Sequence, residues 1–122
     1  MTNLSFNINK EYEFKEELTL KINNDVKILQ QENKDRREAA IILNLDIFKS
    51  DEVNDVPFNL TIEIEGIFRW DEELEKNNNI LDIMLKQNAP AILYSYMRPI
   101  ITLLTVEANM PPLVIPLMNF NQ

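Results

Sequence analysis

Residues 4–28 alternate with period two. Leu4, Phe6, Ile8, Tyr12, Phe14, Leu18, Leu20, Ile22, Val26 and Ile28 are all even-numbered, with Asn, Asp, Glu, Lys, Ser and Thr filling the odd positions. Alternation this long predicts strand with one wet face. Polar Lys10 and Glu16 break the even set, so a bend or bulge is expected there, with two strands rather than one. A charged turn, QQENKDRRE, occupies residues 30–38. The next strand is expected over 39–48, with Ala39, Ile41, Leu43, Leu45 and Ile47 on one face and Asn44 and Asp46 on the other. After the loop KSDEVNDVP comes FNLTIEIEGIFRW, in which Phe58, Leu60, Ile62 and Ile64 oppose Asn59, Thr61, Glu63 and Glu65. Gly66 inside this strand predicts a bulge or a close backbone approach. Strands joined by loops without intervening helices imply an antiparallel sheet.

Past Trp70 the periodicity changes. Asp71 is placed to cap a short turn, with Glu72 and Glu73 favourable near a helix N-terminus. The run NNN at 77–79 interrupts it, and ILDIMLKQ forms a short apolar helix. Asn88 is then expected to cap a second helix, with Pro90 in the first turn, where its missing N–H costs nothing. The expectation is one α+β domain spanning 1–122: antiparallel sheet over about 3–70, helices over about 71–108 on one sheet face, and an extended tail over 109–122.

The second helix, NAPAILYSYMRPIITLL, is apolar nearly all round. Leu93, Met97, Ile100 and Leu104 share one face, and Ile92, Tyr96 and Leu103 cover the adjacent one. Residues 89–106 approach the length of a membrane span. Arg98 near the centre would cost about 2.5–3.5 kcal/mol there, and no Lys or Arg cluster flanks the segment, so no membrane insertion is expected. A small sheet covers one side of such a helix. The other side calls for a second subunit, a client, or the C-terminal segment folded back over it. That segment, ANMPPLVIPLMNF, has prolines at 111, 112 and 116, so it runs extended. Pro99 predicts a kink near Ser95, with the Ser95 hydroxyl or water satisfying the freed carbonyl. Arg98 is expected to reach a carboxylate or helix-end carbonyls, with its partner on the sheet, a loop or another subunit.

Composition removes most catalytic readings. Among 122 residues there is no Cys and no His, and Gly66 is the only glycine. Thiol chemistry, His general bases, Gly-rich phosphate loops and nearly all zinc or copper sites are thereby excluded, and no cofactor is expected. A net charge of −8 disfavours nucleic acid and favours basic partners within a screening length of roughly 10 Å. No basic-then-apolar leader is visible at the N-terminus, and the lack of Cys fits a cytoplasmic protein. Glu63 and Glu65 share an exposed strand face without a cleft, so a paired-carboxylate hydrolase is rejected.

Three stretches together resemble the SecB export chaperones: GIFRW at 66–70, PAILYSYMR at 90–98 and PPLVIPLMNF at 111–120. The motifs cover roughly a quarter of the chain, and the strand-then-helix order extends the likeness. The resemblance implies a four-stranded antiparallel sheet followed by two helices on one face, assembled as a dimer of dimers. It also implies ATP-independent holding of unfolded polypeptides, with delivery to the SecA translocase or protection of an antitoxin. It differs from the export members in ending at Gln122, where they continue into a C-terminal helix and tail that contribute to SecA contact, and in Pro99.

On that basis Phe68, Trp70, Tyr94, Tyr96 and Met97 are candidates for a client groove, the alternative for each being core or subunit interface. Flexible Met and aromatic surfaces accept many sequences because they repack. Leu81, Met84, Leu93, Ile100 and Leu104 are candidates for an oligomer interface. Asp46, Glu63 and Glu65 are candidates for an acidic partner-binding face, the alternative being a solvated sheet surface. A second reading is an interaction module of the same fold that binds a folded partner.

Overall fold

Four strands and a long helix account for most of the described residues. The computed structural model describes residues 1–10, 12, 20–30, 37–48 and 56–120. Strands β1 (Asn3–Ile8), β2 (Ile22–Gln30), β3 (Glu38–Ile47) and β4 (Phe58–Arg69) form one antiparallel sheet in the order β1-β4-β3-β2. The alternating stretch 4–28 is therefore two strands, and they are the two edges of the sheet. Glu16 and most of the connection, with Phe14 and Leu18, lie outside the described residues, as do most residues of the turns at 30–38 and 49–57.

Register decides which side is dry. Ala39, Ile41, Leu43, Leu45 and Ile47 of β3 pair with Phe68, Gly66, Ile64, Ile62 and Leu60 of β4. All five β3 side chains are fully buried, with Leu60 and Ile62 beside them. The β3–β4 register runs unbroken from Glu38↔Arg69 to Ile47↔Leu60, so Gly66 makes no bulge. It makes a close approach instead: a Cβ built on it would lie 2.8 Å from Leu93 Cδ2. At the end of β3, Phe48 takes a left-handed φ of 55°. That conformation costs a non-glycine residue about 1–2 kcal/mol, offset here by burying the ring edge-on to Phe58 at 5.3 Å.

The helices lie on the dry face. After α1 (Glu72–Glu75), Asn77 caps α2 (Asn78–Ile83), its Oδ1 accepting from the Ile80 N–H at 3.3 Å. The break expected at Asn88 does not occur. A π-helical turn, Met84–Asn88, joins α2 directly to α3 (Ala89–Glu107), and the Asn88 side chain caps nothing. Pro90 supplies the reason. It has no N–H for the Lys86 carbonyl, and widening the preceding turn lets the Ala89 N–H reach back to Met84 O. The helix also continues through Pro99, and the Ser95 hydroxyl donates to the Ile92 carbonyl, not to its own. Asn79–Glu107 is long and apolar enough to cross a membrane by length and composition. In this fold it lies along the sheet with Leu93, Met97 and Ile101 buried.

Candidate functional site

Helix α3 presents three flanks, because successive residues turn by about 100°. Toward the sheet it sends buried Leu93, Met97 and Ile101, with Ile100 and Leu104 half-buried against the same core. A second flank carries Tyr94, Arg98, Thr102 and Thr105. The third, facing away from the sheet, is a stripe of Ile92, Tyr96, Pro99, Leu103 and Val106. It is bare: Tyr96 is 63% and Leu103 58% exposed.

The second flank is covered by the chain's own C-terminal segment, here called the strap (residues 110–120). The reversal that launches it is a Schellman motif. Asn109 sits at φ 60°, its N–H donates to Val106 O, and the Met110 N–H donates to Thr105 O at 3.0 Å. Pro111 and Pro112 then forbid further helix. Tyr94 Oη donates to Pro116 O at 2.5 Å, Arg98 Nε to Ile115 O at 3.1 Å, and Thr102 Oγ1 to Leu113 O at 2.7 Å. The Leu113 N–H donates in turn to Thr105 Oγ1 at 3.0 Å. Ile115 is fully buried beneath these bonds, and Phe120 meets Tyr94 edge-on at 5.9 Å. Arg98 thus finds a backbone carbonyl on the strap. Burial pushes the Tyr94 phenol above its ordinary range, against the opposing pull of the Arg98 charge, so it remains a donor.

Two clefts flank this arrangement. One, of about 530 Å³, lies between β2 and the 82–87 turns, at the strap's far end by Asn119 and Phe120. Its rim carries the Asp82–Lys86 ion pair at 3.0 Å. The other, of about 610 Å³, lies beside the end of β4 and includes Trp70, Leu74, Ile80 and Met84 in its walls.

The predicted groove residues do not converge on one surface. Trp70 borders the second cleft, and Phe68 is half-buried on the dry sheet face beside Gly66. Tyr96 stands on the bare stripe. Tyr94 and Met97 are inside the protomer, Tyr94 under the strap and Met97 fully buried, and so leave the exposed set. Of the predicted interface residues, Met84 is exposed, Leu93 is buried against Gly66, and Leu81, Ile100 and Leu104 pack on the protomer's own core. Leu93, Ile100 and Leu104, expected to meet a partner, lie instead on the face of α3 that meets the sheet. Ile92, Leu103 and Val106 are the outward residues. Thr102 and Thr105 carry no signal in the sequence, because their spacing reads as an ordinary polar seam until the strap's Leu113 is seen bonded to both.

On the outer sheet face, Asp46, Glu63 and Glu65 share one side, since Asp46 pairs with Thr61, Asn44 with Glu63 and Ile42 with Glu65. Glu65 is exposed and Glu63 half-exposed, accepting from Thr2 Oγ1 at 2.8 Å. Asp46 is only 7% exposed and accepts from Thr61 Oγ1 at 2.6 Å, so it is unavailable to a partner. Beside Glu65, the in-register row Leu29–Ala40–Ile67 leaves two aliphatic side chains more than half exposed.

Residues 1–122 match the family model for SecB, the preprotein translocase subunit. An uncharacterized protein of Methanocaldococcus jannaschii, MJ0357, is 31% identical over 117 residues, which are 95% of this chain and 72% of that protein. The fold is similar to that of the Mycobacterium tuberculosis SecB-like chaperone Rv1957, solved in complex with a ChAD peptide from the HigA1 antitoxin. The two superpose with a TM-score of 0.76 at 13% identity, covering 97% of this chain and 85% of that one.

Proposed function

The chain belongs to the SecB family, and from that premise we propose that it is an oligomeric, ATP-independent holdase for unfolded polypeptides. The observation that carries the proposal is the bare stripe of α3. Ile92, Tyr96, Leu103 and Val106 are each at least 45% exposed, and Ile80, Ile83 and Met84 of the preceding turns add to the uncovered apolar surface. Contiguous apolar surface of this kind marks an interaction site on a soluble protein. A second protomer covers part of it in the assembly we propose, a dimer of dimers.

The remaining apolar surface serves clients. An unfolded segment exposes side chains each worth about 1.5–3 kcal/mol on full burial. Several grooves on one oligomer raise the avidity for a long chain through effective concentration. Binding the unfolded state alone withdraws it from aggregation by mass action, so the proposed activity is non-enzymatic and needs no nucleotide. The antitoxin peptide held by the mycobacterial relative supports a peptide client, and a dedicated antitoxin is one such client. Glu63, Glu65 and the adjoining aliphatic row are the surface we assign to a translocase such as SecA. We place the protein in the cytoplasm.

The burial of Tyr94 and Met97 favours a second reading, a module that binds one folded partner. Aggregation of an unrelated denatured protein, followed by light scattering without nucleotide, separates the two. Suppression at near-stoichiometric ratio is expected for the holdase. A clean oligomer that fails to suppress overturns the general holdase and leaves a dedicated client or the folded-partner module.

A further inference from the structure

The wet face of the sheet carries one patch that is not polar. Two successive rows cross β2, β3 and β4 on that face, Lys27–Ile42–Glu65 and Leu29–Ala40–Ile67. Leu29 and Ile67 are 54% and 57% exposed, and Ala40 and Ile42 lie half-buried between them. Single apolar side chains on a surface are ordinary, but four adjoining ones on a face whose other positions are polar mark a contact. The charges beside them are placed unevenly. Lys27 stands on the β2 side and Glu65 on the β4 side; both are exposed, and neither makes an ion pair among the described residues. One row beyond Ala40 and Ile67, Glu38 and Arg69 already pair with each other at 3.0 Å. In the other direction the face turns acidic and polar, with Asp25, Asn44 and Glu63 in register.

We infer that this patch pairs with the same patch of a second copy, sheet face to sheet face. A two-fold axis parallel to β3 lays β3 over its counterpart and each β2 over the other copy's β4. Lys27 then meets Glu65 of the second copy and Leu29 meets Ile67 of the second copy, each contact occurring twice, while Ala40 and Ile42 meet their own counterparts on the axis. An axis perpendicular to the strands sets each charge against its own like or against an aliphatic side chain, so the charge pattern selects the first. Faces packed this way lie about 10 Å apart with strands aligned within about 30°, a gap that side chains from both sheets fill. The row of Asp25 and Glu63 opposes like charges and marks where the contact ends. A patch this small buries well under the roughly 1,200 Å² of a stable complex. The pairing is therefore weak, absent at micromolar concentration and formed only when the protein is concentrated. The bare stripe of α3 lies on the opposite side of the protomer, so face pairing joins oligomers already built through that stripe. The inference does not rest on the holdase reading. It concerns the face assigned above to a translocase, which such a partner would have to free from a second copy.

Sedimentation velocity on the full chain, from about 10 μM to about 1 mM, tests the pairing. The unmodified chain is expected to form larger particles reversibly as its concentration rises. Lys27→Glu and Glu65→Lys are each expected to weaken that step roughly tenfold or more, because each opposes like charges across the contact. The double reversal, Lys27→Glu with Glu65→Lys, is expected to regain it. An equal mixture of the two single variants is expected to associate where neither does alone. Net charge by itself predicts the opposite for Glu65→Lys, which makes this chain of charge −8 less acidic and so favours non-specific association. Absence of growth at the highest concentration overturns the inference and leaves the face to a translocase alone. Growth that the single reversals leave unchanged, or that neither the double reversal nor the mixture regains, overturns it equally.

Discussion

Gly66 faces Leu93 across a gap that has no room for a methyl group. An added Cβ would sit 2.8 Å from Leu93 Cδ2 and 3.0 Å from Phe68 Cε2. Gly66→Ala is therefore expected to lower stability by about 1–3 kcal/mol, the usual cost of overpacking, seen as a lower urea midpoint at unchanged slope. The sequence narrowed Gly66 to a bulge or a close approach, and only the unbroken β3–β4 register selects the second. The burial of Tyr94 and Met97 was not legible there, since hydropathy alone does not say which flank of an all-round apolar helix meets the sheet. Thr105, 1% exposed, donates to Thr102 O and accepts from the Leu113 N–H. Thr105→Val keeps the shape but strands that N–H, at an expected cost of about 1–3 kcal/mol. Tyr94 gives a pH dependence of defined sign. Its folded-state pKa is raised from 10.0, so its contribution is intact below that value and is lost as pH rises through the higher folded-state value. Alkaline titration should release the strap, seen as a fall in the Leu113 amide protection factor once base-catalysed intrinsic exchange is divided out, and Tyr94→Phe should remove that alkaline step.

At the scale of elements, β3 and β4 could be read almost residue by residue, because period two with one buried face leaves a single consistent register. The sheet order could not. The alternating stretch 4–28 says nothing about β1 and β2 occupying opposite edges, which depends on long-range pairing. The expected helix break at Asn88 failed for a local reason: a π turn carries the helix past Pro90 without a cap. Pro99 likewise sits inside an uninterrupted helix, with its side chain exposed. Pro99→Ala restores a donor for the Ser95 carbonyl and removes the ring clash. It is expected to raise stability, by up to about 3 kcal/mol, as a higher thermal or urea midpoint. A fall in the midpoint would mean that Pro99 shapes the helix for its packing partner.

For the whole molecule, the question raised by a helix apolar on every side resolves into three covers. The sheet takes one flank and the strap a second, and the exposed stripe of Ile92, Tyr96, Leu103 and Val106 is the one we propose a second chain covers. Both a subunit and a folded-back tail were foreseeable. That the tail covers a flank and not the outward stripe depends on the Schellman turn at Asn109, whose direction composition does not encode. Leu103→Asp on the stripe is expected to reduce the oligomer mass while changing the stability of the protomer by no more than about 0.5 kcal/mol, as for other surface changes.

Native mass spectrometry of the protein mixed with a chemically denatured client, without nucleotide, tests the central claim most directly. The account predicts an assembly of four chains of 14.4 kDa each carrying one unfolded client molecule between them, and no complex with the same client in its folded state. Chains that remain free of denatured client, or that bind its folded form equally well, would contradict it.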